Sequence, residues 1–117
     1  MKQSKDNLIC LEDYRVIGMD GSISKVFTGR DRGADVRVAS QIDKLEKKYD
    51  DIIIVIPDKI YSINPSFFEE LFINVVSKLG KDGFRNKFKF KSEGPYNYER
   101  PLTEAITRIL RKSTAIG

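Results

Sequence analysis

The chain has 117 residues, 40% hydrophobic and 32% charged, the balance of one folded domain that buries roughly two thirds of its unfolded surface. Its formal charge is +4, and the 21 basic and 17 acidic residues are spread along the whole length, which argues against a dedicated nucleic-acid binder. With no histidine, the commonest general base, the Ser-His and Cys-His pairs and most zinc sites are excluded, and no GxxxxGK[ST] loop appears. The composition therefore predicts a non-catalytic chain without metal or cofactor.

The opening "MKQSKDNL" carries Asp6 and no apolar stretch, which reads as no signal peptide. No window approaches the ~20 apolar residues of a membrane span. Cys10 is the single cysteine and has no internal partner, which fits a reducing compartment. A cytoplasmic protein without membrane contact is the expectation.

In chain order, "LICLE" is short and ambiguous, with the pattern of an edge strand. "YRVIGMDGSISKVFTGR" reads as a β-hairpin, with Val16 and Ile17 on one side of Asp20-Gly21 and Ile23, Val26 and Phe27 on the other. "RGADVRVASQIDKLEKKYD" has helical period. Val38, Ala39, Ile42, Leu45 and Tyr49 fall on one face, with Asp43 and Lys47 paired on another. "DIIIVIP" is a β-branched run stopped by Pro57, the pattern of a central strand covered on at least one face.

Residues 66–79 form the clearest helix, with Phe67, Phe68, Leu71, Phe72, Val75, Val76 and Leu79 on one stripe and Gly80 as its stop. Ile73 lies off the stripe and is expected at the surface. "NKFKFKS" alternates, placing Phe88 and Phe90 inward and the lysines outward on a peripheral strand. "SEGPYNYERP" reads as a loop. "PLTEAITRILRK" reads as a last helix with Leu102, Ile106, Ile109 and Leu110 inward. The order β-β-α-β-α-β-α predicts an α/β domain. Its mixed sheet would join the hairpin to parallel crossovers, with helices mainly on one face.

"SINPSFFEEL" offers two helix starts. Asn64 before Pro65 fits an N-cap with proline at the first helical position. Shifted by two, Ser66 and Glu69 form a capping box. Either start puts Ser66 in the first turn, where a capping serine needs no further role. A phosphate on Ser66 would meet free backbone N–H groups there, opposed by Glu69 and Glu70. It would also add negative charge to a surface lined by Ile63 and Phe67.

Elsewhere, Arg30, Arg32 and Arg37 flank Gly29 and Gly33, where they could hold an anion or simply pair with Asp31 and Asp35. Tyr96, Tyr98 and Arg100 could stack bases beside Lys87, Lys89 and Lys91, or cover a core rim while the lysines guard an edge strand. Asp58 follows the apolar strand as a lone carboxylate.

The stretch "DIIIVIPDKIYSINPSFFEELFINVVSKLG", preceded by "TGRDRGADVR", resembles the STAS-like family, a prokaryotic group related to the anti-sigma-factor antagonist (STAS) domains. The resemblance spans roughly residues 20–110. It implies a single STAS-like domain over 1–117 that is regulatory and binds a protein partner, with a histidine-kinase-like ATPase as the partner class. Antagonist domains carry a phosphorylatable serine in an Asp-Ser-(Ser/Thr)-Gly turn at this helix start. On that pattern Asn64 stands in the aspartate's place, Ser66 in the acceptor's and Phe67 in the glycine's. The partner surface implied comprises Asp58, Ile63, Asn64, Ser66, Phe67 and Ile73. Nucleic-acid binding through Lys87–Lys91 and the Tyr96/Tyr98 loop is the competing expectation.

Overall fold

A computed structural model describes residues 7–15, 20–21 and 26–116, with side chains to residue 112. Strand β1 (Leu8–Cys10) runs into a 3-10 turn (Leu11–Tyr14). Then come β2 (Val26–Phe27), α1 (Arg30–Ser40), α2 (Ile42–Lys48), β3 (Ile52–Ile56), β4 (Ser62–Ile63), α3 (Pro65–Lys87), β5 (Phe88–Ser92) and α4 (Glu99–Ile116). This is an α/β domain in which every described strand pair is parallel.

Three strands form one sheet in the order β1-β3-β5, with Ile53 opposite Leu8 and Lys89, and Ile54 opposite Ile9 and Phe90. The isoleucine run is central, as its pattern predicts, and the lysine strand lies at an edge. Both crossovers step in the same direction. Right-handed connections of that kind put their helices on one face. Burial follows this: Ile52, Ile54 and Ile56 are fully buried, Ile9 and Phe88 nearly so. Leu8, Cys10 and Ile53, on the opposite face, are half-buried.

The expected hairpin strands at Val16, Ile17 and Ile23 lie outside the described residues. Asp20-Gly21 forms a turn with Gly21 at φ 85°. Val26–Phe27 pairs in parallel with Ser62–Ile63, a two-residue strand too short for a periodic signal. In place of the mixed sheet, the described residues form two parallel ones.

Residues 38–49 do not form one helix. Gln41 at φ 56° breaks it, so α1 buries Gly33 and Val36 while α2 buries Ile42 and Glu46. The re-phasing turns Val38 out to 73% exposure, against the face expected of it. Asp43 accepts a hydrogen bond from Asn74 of α3 at 2.7 Å. Gly80 does stop the α3 stripe: its φ of 75° and ψ of 176° kink the helix, which resumes to Lys87. Phe67, Phe68, Phe72, Phe84 and Phe88 fill the space between α3 and the sheet, with ring centroids 4.8–6.3 Å apart.

Candidate functional site

Asn64 settles the two possible starts of α3. Its Oδ1 accepts the Ser66 backbone N–H at 2.9 Å, with Pro65 in the first turn where its missing N–H costs nothing. The Ser66 hydroxyl donates to the same oxygen at 2.7 Å. Ser66 is therefore an accessory to the cap rather than the cap itself, and the Ser66–Glu69 capping box does not form.

Ser66 is half-buried at the surface, and Asp58, Lys59, Tyr61, Ser62 and Asn64 before it are exposed, Tyr61 at 72%. Three of the residues expected on a partner surface turn inward. Ile63 is 2% exposed because it pairs with Phe27 in the two-stranded ladder. Phe67 is fully buried, its ring 5.0 Å from Phe27, so it does not line the surface. Ile73, expected at the surface, is half-buried and packs on the core. Asp58 and Asn64 remain outside.

The loop is anchored from several directions. Arg15 donates to the Asp58 carbonyl, and Asp58 Oδ1 accepts the Lys59 N–H at 2.8 Å. A Cβ on Gly94 would stand 2.4 Å from Asp58 Oδ1, so the turn after β5 lies directly against this loop. The Ile63 N–H donates to Tyr96 Oη at 2.9 Å, on the strand side away from β2. A groove of about 550 Å³ lies here, lined by Ile63, Pro65, Tyr96, Arg100, Pro101 and Glu104.

Arg30 and Arg37 meet carboxylates of α3. Arg30 lies 3.3 Å from Glu69 and 3.4 Å from Glu70; Arg37 reaches the Glu70 carboxylate at 3.4 Å and donates to its carbonyl. Arg32 donates to the Tyr14 carbonyl. Glu69, with no exposed surface, also receives Lys112 at 2.5 Å and Arg108 at 3.7 Å from α4. Burial pushes the Glu69 carboxyl up. Hydrogen bonds from Lys112 and Arg30, with their charges, outweigh this and hold it below its ordinary value. The cluster ties α1 and α4 to the first turns of α3.

This buried hub was missed from sequence, although Glu69 stands three and seven residues before Phe72 and Val76, on the helix's apolar side. The same cations neutralise the two carboxylates expected to oppose a phosphate on Ser66.

Of the groups expected to stack or bind nucleic acid, Lys87 donates to Glu46 at 3.0 Å, Tyr96 is held by Ile63, and Tyr98 stacks on Phe90 with centroids 5.2 Å apart. Lys89 and Lys91 point outward. Among the described residues no group of three or more His, Cys, Asp or Glu side chains is placed to hold a metal ion, and no helix is long and apolar enough to cross a membrane. Comparison with protein-family models, curated proteins and solved structures finds no match to the chain.

Proposed function

We propose that the chain is a non-catalytic regulatory interaction domain of STAS-like type, which binds a protein partner through the start of α3 and the loop at residues 58–64. One observation carries the reading. Ile60, Ile63 and Phe67 are sunk into the core while Asp58 and Lys59 before them, and Tyr61, Ser62 and Asn64 between them, stand out. Alternate anchoring of this kind holds an exposed surface in a preformed shape, which lowers the ordering cost of docking.

Ser66 sits at the edge of that surface with its hydroxyl on the exposed Asn64 amide. A phosphate there would replace one hydrogen bond with roughly two negative charges at the docking surface. The neutralised Glu69 and Glu70 favour that arrangement. The partner class is a protein ATPase of the histidine-kinase-like fold, and the setting a prokaryotic cytoplasm.

The test uses wild type, Ser66→Ala and Ser66→Asp as parallel baits in lysate of the source organism, with quantitative mass spectrometry. An ATPase retained by wild type and Ser66→Ala and depleted at least tenfold with folded Ser66→Asp is expected. Equal recovery on all three baits removes Ser66 from the account. Recovery of nuclease-sensitive material alone replaces the reading with nucleic-acid binding by Lys89 and Lys91.

A further inference from the structure

Glu69 and Glu70 stand three and four residues after Ser66, so the three share one side of the first turns of α3, away from the buried Phe67, Phe68 and Leu71. Helical side chains lean toward the N-terminus, which tips both carboxylates toward Ser66. At helical spacing Ser66 falls between them in azimuth, roughly 60° from Glu69 and 40° from Glu70, one turn nearer the helix start. Arg30, the first residue of α1, bridges the same two carboxylates, 3.3 Å from Glu69 and 3.4 Å from Glu70. Its guanidinium therefore lies over the turn that Ser66 opens.

Arg30 is also a cation that both carboxylates can release. Glu69 keeps Lys112 at 2.5 Å and Arg108 at 3.7 Å. Glu70 keeps Arg37, whose guanidinium is fixed further by donating to the Glu70 carbonyl. Neither carboxylate loses its last partner when Arg30 moves. The Arg30 side chain is 50% exposed, against 21% for Arg37, so it has the freedom to swing that its neighbour lacks.

We propose that Arg30 is the residue that reads a phosphate on Ser66, moving from Glu69 and Glu70 to hold two phosphate oxygens with its planar fork. The inference rests on the reading of Ser66 as a modified residue. Transfer of the terminal phosphoryl group of ATP forms the Oγ–P bond, breaks the bond to the diphosphate and releases the hydroxyl proton to solvent. The serine oxygen then no longer donates to Asn64 Oδ1, which keeps the Ser66 N–H and so the cap. One helical turn, about 5–6 Å between Cβ atoms, separates Ser66 from the carboxylates Arg30 now holds, within the combined reach of an arginine and a phosphoserine. The clamp ties the modified start of α3 to the first residue of α1 and fixes the phosphate beside the loop at residues 58–64.

The test places phosphoserine at residue 66 of the full chain by suppression of an amber codon and follows its second ionisation by phosphorus NMR. With Arg30 present the phosphate should titrate about half a pH unit or more below its value in Arg30→Gln, since a cation within reach favours the dianion. Lys44→Gln removes an exposed cation of α2 and should leave the phosphate where Arg30 holds it. Equal values with Arg30 and with Arg30→Gln overturn the proposal. So does a value that fails to rise when the phosphorylated chain is unfolded in urea, a comparison that needs no variant to fold. The result is separable from the bait experiment. An Arg30-dependent phosphate together with equal recovery on all three baits keeps the clamp and removes the docking role. An ATPase lost from Ser66→Asp together with an Arg30-independent phosphate keeps the docking role and removes the clamp.

Discussion

At the start of α3, Asn64 Oδ1 accepts both the Ser66 amide and the Ser66 hydroxyl, so the two side chains are unequal in energy. Removing the acceptor strands a helix N–H, which costs about 1 kcal/mol. Removing the serine hydroxyl breaks only a surface side-chain bond, within about 0.5 kcal/mol. In denaturant unfolding, Asn64→Ala should therefore lose about 1 kcal/mol and Ser66→Ala little. Equal losses would give the capping role back to the serine. The sequence made both starts readable and could not choose between them. Ser-x-x-Glu is a capping box only while the glutamate can reach back, and here Glu69 is spent on Arg30, Arg108 and Lys112.

At the scale of elements, Gly33 sets how closely α1 approaches α3. A Cβ there would stand 2.4 Å from the Phe67 carbonyl oxygen and 2.9 Å from Glu70 Cβ. The carbonyl belongs to helical backbone and cannot swing aside, so Gly33→Ala must push the helices apart. A loss of roughly 1–3 kcal/mol is expected in the same unfolding assay. If the variant proves as stable as wild type, the two helices do not pack this closely. The glycine and its arginine neighbours read from sequence either as an anion-binding turn or as arginines paired with Asp31 and Asp35. Local sequence shows a small residue beside positive charge, and only the crossing helix shows that the space and the charge are already taken. The break at Gln41 was invisible for a related reason. Nothing in Ser40-Gln41-Ile42 forbids a continuous helix, and the break arises because α1 and α2 bury different faces.

At the scale of the whole molecule, two carboxylates among the described residues sit in the core, Glu46 at 4% and Glu69 at 0% exposure, each held by cations from other elements. For both, burial alone would raise the carboxyl; the lysine hydrogen bonds, with Arg30 added at Glu69, leave it below the ordinary value of 4.5. A lowered folded value means the unfolded chain binds the proton more tightly. The stabilisation is therefore complete above about pH 4.5 and is lost as pH falls through the lower folded values. Glu69→Gln should cost about 1–3 kcal/mol near neutral pH. It should also flatten the fall in stability between roughly pH 5 and pH 3. An unchanged acid limb in the variant would show that Glu69 titrates alike in both states.

Periodicity by itself determined the central isoleucine strand, the phenylalanine stripe of α3 with its stop at Gly80, the lysine edge strand and the apolar face of α4. Each depends on spacing within a few residues, and burial of one face enforces that spacing wherever the element is placed. Pairings between distant segments were decided by the tertiary structure alone. They include the Val26–Phe27 ladder with Ser62–Ile63, the convergence of α1 and α4 on Glu69, and the inward turn of Ile63, Phe67 and Ile73. Those follow from the direction in which successive crossovers step and from which cation reaches which carboxylate, and neither is written in any single stretch of the chain.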